Sequence, residues 1–402
     1  MPLSVPGIRI SSGFDSGNIE VLDLSSPHDI QLSIRKDNQS DFFQWFHFRV
    51  QGAAGEDLTM RLVNADQAAY VDGWPDYRAV ASYDRQYWFR VPTSFEQGEL
   101  VINHTPEQNS VYFAYFAPYS FEQHLDLIAF AQQSPLCDVF DLGQTLDGRD
   151  LNLLKISKTD QGEAERVSAE KTGSEKSDSD KGKTKKNIWI TARQHPGESM
   201  AEWCAEGFIE RLLDTEDALA QSLLEQVDFY IVPNMNPDGS VRGHLRTNAC
   251  GANLNREWEA PTMERSPEVY LVRQAMSETG VDLYLDLHGD EALPCNFIAG
   301  QEGAPHLSDE IFQQEERFKQ DLAQINPDFQ LERGYPPGKF GPETYTIAAF
   351  WVGREFNCPS MTLEMPFKDY DQRPDEQCGW SPERSIKLGE SLFYPLSQWL
   401  KA

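Results

Sequence analysis

The chain has 402 residues, with 35 Lys or Arg against 64 Asp or Glu and a formal net charge of -29. That balance argues against nucleic acid as a partner, which demands basic patches, and against an anionic membrane surface. The length suffices for two domains, no apolar run reaches membrane-spanning length, and MPLSVPGIRISS lacks the basic and apolar regions of a secretory leader. Six cysteines without a CxxC pair fit a reduced, cytoplasmic protein.

Residues 8–118 read as short strands: IEVLDL, IQLSIRK, QWFHFRVQG, LTMRLVN, QYWFRVPTS, GELVINHT and SVYFAYFAPY. They are β-branched or aromatic, roughly alternating, and punctuated by Gly, Asn, Asp and Pro. This predicts an antiparallel β-sandwich domain over residues 1–118. Near Tyr119 the pattern changes. FEQHLDLIAFAQQS (121–134) has helical spacing, and from there strands alternate with helices. That alternation predicts an α/β domain over residues 119–402, with a mixed, largely parallel sheet flanked by helices. Residues 158–186 interrupt it with a polar, charged insertion whose one large aliphatic residue is Val167. It joins two strands and reads as an extended hairpin loop. A binding or regulatory insert is the alternative.

The next unit is a buried strand over residues 187–192, a tight turn, and a helix with apolar residues at Met200, Trp203, Cys204 and Phe208. Ser199 is a candidate helix cap. In the turn stands HPGE, where His195 and Glu198 can reach one metal ion. Alone, the pair fits a solvated turn with a capping Glu equally well. NMNPDG (234–239) reads as a structural turn. GHLRTN then carries Arg246, and GANLNREW carries Asn253, Asn255 and Arg256. Two arginines and an Asn in polar loops fit either a solvated surface or carboxylate recognition through a guanidinium fork. PEVYLVRQAMSETG reads as a helix. In DLYLDLHG (282–289), Leu283, Leu285 and Leu287 alternate with Asp282, Tyr284, Asp286 and His288. This strand delivers His288 at the carboxyl end of the sheet, where sites form in open α/β folds. His195, Glu198 and His288 make a His₂Glu set that leaves one position for water, the catalytic form of a zinc site. SMTLEMPF (360–367) sets Glu364 on an otherwise apolar strand. Glu364 is either paired with an Arg or, beside a metal, a candidate general base.

HPGE, PNMNPDG, an Arg, NLNR, DLHG and TLE, in that order, resemble the zinc metallocarboxypeptidase family of carboxypeptidase A. The likeness is greater to the cytosolic carboxypeptidase subgroup, which joins a β-sandwich to the peptidase domain. QWFHFRVQG and YFAYFAPYS resemble that sandwich. The resemblance runs from about Gly17 and leaves out residues 158–186.

The resemblance implies one zinc ion on His195, Glu198 and His288, with Glu364 as general base and proton shuttle. It implies that Arg246 polarises the scissile carbonyl and that Asn255 and Arg256 grip the substrate's terminal carboxylate. Tyr345 is the candidate for the family's pocket tyrosine. The chain departs from the subgroup at Asn253, where an Asp usually orients the first zinc histidine. TIAAFWV (346–352) is apolar where members that remove glutamate carry a basic residue. The activity implied is hydrolysis of the C-terminal peptide bond of a peptide or protein. The alternatives are a zinc amidohydrolase or deacylase of the same fold, or a catalytically inactive zinc-binding interaction protein.

Overall fold

The computed structural model of the chain describes residues 7–158, 185–336, 341 and 343–401. Ten strands lie between residues 9 and 114: β1 (Arg9–Ser11), β2 (Glu20–Asp23), β3 (Ile30–Ser33), β4 (His47–Gln51), β5 (Leu58–Leu62), β6 (Val80–Ser82), β7 (Phe89–Arg90), β8 (Thr93–Glu96), β9 (Glu99–His104) and β10 (Ser110–Ala114). They form two five-stranded sheets, ordered β1-β4-β10-β6-β7 and β2-β3-β5-β9-β8. Period-two alternation sets their inner faces, with Ile30, Leu32, Met60 and Leu62 from one sheet and Phe48, Val50 and Phe113 from the other buried in one core. The strand expected in QYWFRVPTS is two strands. It breaks at Pro92, which has no N–H to give to a ladder. All pairs are antiparallel except β3 with β5. The chain leaves β3, crosses to the other sheet as β4, and returns as β5, which restores the strand direction.

Ser120 opens the helix Phe121–Gln132 with a reciprocal cap: its Oγ accepts from Gln123 N (3.2 Å), while Gln123 Oε1 accepts from Ser120 N (3.0 Å). Among the described residues seven strands follow, β11 (Cys137–Gln144), β12 (Asp150–Ile156), β13 (Lys186–Ala192), β14 (Val227–Val232), β15 (Leu283–Asp290), β16 (Phe297–Ala299) and β17 (Ser360–Pro366). Their order is β11-β12-β14-β13-β15-β17-β16, and β14, β13, β15 and β17 run parallel. The hairpin reading of residues 158–186 is corrected on one point. β12 and β13, which flank the insertion, do not pair, because β14 lies between them. Residues 159–184 are outside the described residues.

Both faces of this sheet are covered, as a parallel sheet requires. Ile188 and Ile190 of β13 enter one core and Trp189 the other. On the first side the helices Met200–Leu213 and Pro382–Ser391 meet through glycines: a Cβ on Gly207 would lie 2.3 Å from Ile386 O, and one on Gly389 2.0 Å from Cys204 O. NMNPDG, expected as a turn, includes the start of a short helix, Pro237–Arg242, in which Asn236 Oδ1 accepts from Gly239 N (3.0 Å).

The two sheet systems share an interface. Tyr115 stacks on Phe367 at 4.5 Å, and buried Arg90 donates to the carbonyls of Phe367 (2.8 Å), Cys378 (3.1 Å) and Trp380 (3.2 Å). No helix among the described residues is long and apolar enough to cross a membrane.

Candidate active site

The loops at the carboxyl ends of β13, β15 and β17 converge on one cleft of about 880 Å³. The turn after β13 is held from behind by Arg193, which adopts φ 59° and is buried. Its guanidinium donates to Pro196 O (3.0 Å), Tyr119 O (2.8 Å) and Glu202 Oε2 (2.7 Å). Gly197 is obligatory at the turn, since a Cβ would come 2.9 Å from Leu245 O. Ser199 heads the helix but does not cap it with its side chain. Its Oγ donates to Ala117 O (2.9 Å), at the junction with the sandwich.

His195, Glu198 and His288 are buried at the floor of the cleft. His195 Nδ1 is 2.8 Å from Glu198 Oε1, His288 Nδ1 is 2.7 Å from Glu198 Oε2, and the two Nδ1 atoms are 3.2 Å apart. The three donor sets lie within 4.8 Å of one another. Each imidazole turns its other nitrogen to an oxygen: His195 Nε2 to Asn253 Oδ1 (3.1 Å) and His288 Nε2 to Asp286 Oδ2 (2.9 Å). This is the outer arrangement of ligating histidines. Two imidazoles and a carboxylate with such backing fit a zinc ion and leave a fourth position for water.

The electrostatics agree with that fit. Burial pushes the pKa of His195 down to about 3, with the charge of Arg246 adding to it, so the imidazole is neutral. Burial also opposes charge on His288, but Asp286 and Glu198 outweigh it and hold its pKa well above the usual range. Glu198 is held low because its two histidine neighbours outweigh its burial. The field that favours a proton between these groups favours a metal cation there too.

Glu364 faces the cleft from β17, in register with His288 on β15. Its Oε1 accepts from Tyr335 Oη (3.1 Å), while its buried Oε2 has no hydrogen-bond partner among the described residues. Burial pushes its pKa up to about 8, and Glu198 and Asp290 contribute. Arg246, Asn255 and Arg256 line the same cleft. The Arg246 guanidinium lies over the rings of Phe42 (5.6 Å) and Tyr70 (5.3 Å). Asn255 Oδ1 accepts from Ala348 N (2.8 Å), and Arg256 Nη1 donates to Asn255 O (2.6 Å). Ile347, Ala349 and Phe350 supply an apolar wall from the stretch that has no basic residue.

Tyr345 is not brought to this cleft. Its ring lies under the Arg354 guanidinium at 3.9 Å, and its hydroxyl is 3.3 Å from His306 Nδ1. The tyrosine that reaches Glu364 is Tyr335, whose hydroxyl also lies 2.9 Å from Asp290 Oδ2. It comes from an irregular loop with no periodic signal. Asp286 had one, because strand alternation sets it on the face of His288. Tyr70 and Glu291 also line the cleft. Glu291 is held far above the usual carboxylate range by burial and by the charge of Glu198, and its Oε1 has no partner among the described residues.

Sheet, donor set and cleft together define a metallohydrolase. Residues 10–116 match the family of the cytosolic carboxypeptidase N-terminal domain, and residues 122–376 match the zinc carboxypeptidase family. The chain therefore belongs to the zinc carboxypeptidase family and is a metallocarboxypeptidase. It is 45% identical to a metallo-carboxypeptidase from Burkholderia cenocepacia, with TM-score 0.91 and 98% of this chain and 99% of that one covered. A metallo-carboxypeptidase from Pseudomonas aeruginosa, solved in complex with (2-guanidinoethylmercapto)succinic acid, is 42% identical, with TM-score 0.89 and the same coverage. Mouse cytosolic carboxypeptidase 6 is 28% identical over 334 residues, which span 76% of this chain and 56% of the mouse protein.

Proposed function

We propose that the chain is a monozinc carboxypeptidase that removes the C-terminal residue of peptides or proteins. His195, Glu198 and His288 hold one zinc ion per chain, with Asn253 orienting His195 and Asp286 orienting His288. The chemistry zinc supplies there is Lewis acidity, which lowers the pKa of a water to about 7 and polarises a carbonyl. Glu364 takes the water's proton on Oε2 and passes it to the departing nitrogen. Arg246 faces the carbonyl oxygen as that oxygen gains charge. Asn255 and Arg256 hold the terminal carboxylate. Residues 1–118 form a separate sandwich unit beside the funnel and limit what enters it.

The observation that carries this reading is Glu364. Its Oε2 is buried without a partner among the described residues, in one cleft with the candidate metal donors and Arg246. Burial raises its pKa to about 8, and a zinc cation held beside it would lower it again and leave Oε2 free to take up and release a proton. The succinic acid ligand of the Pseudomonas aeruginosa relative also supports a cleft that reads carboxylates.

Mass spectrometry of an unmodified peptide incubated with the full chain tests the reading. The expected result is loss of the C-terminal residue, abolished by a chelator and restored by zinc. Release of a side-chain acyl group with the C-terminus intact would instead make it an amidohydrolase or deacylase. Zinc binding without turnover on any peptide would make it an interaction protein.

A further inference from the structure

We infer that Asp37, in the sandwich unit, is a positioning residue for Arg246, so that the N-terminal unit is a working part of the catalytic centre. The inference rests on the proposed role of Arg246 at the carbonyl oxygen.

Arg246 sits on an irregular loop between the helix Pro237–Arg242 and the short turn Leu254–Arg256. No strand or helix of its own fixes this loop. Gly197 N of the HPGE turn donates to Leu245 O (2.9 Å), and the sandwich supplies most of the remaining anchors. Asp37 is 3% exposed, and its carboxylate receives four donors from three consecutive residues. Oδ1 accepts from Leu245 N (2.7 Å), and Oδ2 accepts from Arg246 N (2.8 Å), Thr247 N (2.9 Å) and Thr247 Oγ1 (3.1 Å). Successive amides turned onto one anion form a nest, and bonds to an ionised acceptor are the strong ones. The flanks are tied down from the same side. Asn18 Nδ2 donates to Gly243 O (2.9 Å), Asn38 N to His244 Nε2 (3.0 Å), and Asn38 Nδ2 to Ala249 O (2.7 Å).

The sandwich also aims the side chain. Phe42 and Tyr70, which flank the guanidinium, both belong to it. A ring face orients a cation without giving it a counter-ion, so the full charge stays available to a developing anion. Backbone clamp and aromatic walls together set the position and the direction of one charge. A displacement of about 1 Å in such a group can cost about 10²-fold in rate.

The test is a double-mutant cycle on the full chain, with kcat, KM, zinc content and melting temperature measured for Asp37→Asn, Arg246→Ala and the pair. Asp37→Asn is expected to lower kcat about 10- to 100-fold, with zinc content unchanged and KM within about three-fold. In the Arg246→Ala background the same change is expected to cost less than about two-fold, because the group it positions is gone. An equal loss in both backgrounds, or no loss in either, overturns the inference while leaving the role of Arg246 intact. Near-normal kcat in Arg246→Ala alone overturns that role and the inference with it. If Asp37→Asn does not fold, Thr247→Val decides, since it removes one of the four bonds and spares the carboxylate. It should lower kcat a few-fold in the native background and not in Arg246→Ala, and any other pattern overturns the inference.

Discussion

Asn253→Asp should tighten zinc binding by a few-fold. The two histidine ligands differ behind their rings. Asp286 backs His288 with a carboxylate at 2.9 Å, itself held by Thr191 Oγ1 (2.8 Å) and Gln194 Nε2 (2.5 Å). Asn253 backs His195 with a neutral amide oxygen at 3.1 Å. Either oxygen fixes the ring, but only the carboxylate raises the ligand's basicity. Removing an outer partner typically costs about 10- to 100-fold in metal affinity or activity. Asn253→Asp keeps the bond and adds only the charge, so the gain is a fraction of that range. Asn253 is also half-buried, and solvent screens the new charge. A three- to five-fold gain corresponds to about 0.7–1 kcal/mol, at about 1.4 kcal/mol per tenfold. Asp286→Asn is the converse and should weaken zinc by about ten-fold. Competition against a chromophoric chelator measures both. Unchanged or weaker binding in Asn253→Asp refutes the argument that charge behind the imidazole sets ligand strength here.

Glu364→Gln should keep zinc and peptide binding but lower kcat by about 10²–10⁴-fold, measured by steady-state kinetics alongside metal analysis. Zinc added to metal-free protein should raise the melting temperature, and His288→Ala should remove that rise in calorimetry. The metal stabilises by about 2.7 kcal/mol at a hundredfold excess over Kd. Glu268, whose Oε2 accepts from Asn248 Nδ2 (3.3 Å), has its carboxyl pushed up to about 8 by burial, and its Oε1 has no partner among the described residues. Between the ordinary carboxylate pKa and about 8 the folded state holds a proton that the unfolded state has lost, so stability falls as pH rises through that window. Glu268→Gln removes this titration, so its melting temperature should gain on the native chain between pH 5 and pH 8.5. A constant difference would contradict it.

What was legible in the sequence was local. The alternation of Leu283, Leu285 and Leu287 marks β15 and its direction, and that direction carries His288 to the end of the sheet where HPGE emerges. Helix 121–134 was readable from spacing and ends two residues early, at Gln132. Long-range pairing was not readable. Nothing near residues 158–186 says that β14 inserts between β12 and β13, or that β3 and β5 meet in parallel after a detour through the other sheet. The same limit applies to the cleft. No motif marks the family's pocket tyrosine: the candidate Tyr345 is held elsewhere by Arg354 and His306, and Tyr335 arrives from a loop without pattern. Ser199 has a capping residue's type and position, but its hydroxyl is engaged by Ala117 across the junction.

The most direct measurement compares two peptides that differ only in a free or an amidated C-terminus, each followed for release of its last residue by the zinc-loaded chain. If Asn255 and Arg256 hold a terminal carboxylate beside the His195, Glu198 and His288 centre, the free acid is cleaved and amidation abolishes cleavage. Equal rates on the two peptides would contradict the account.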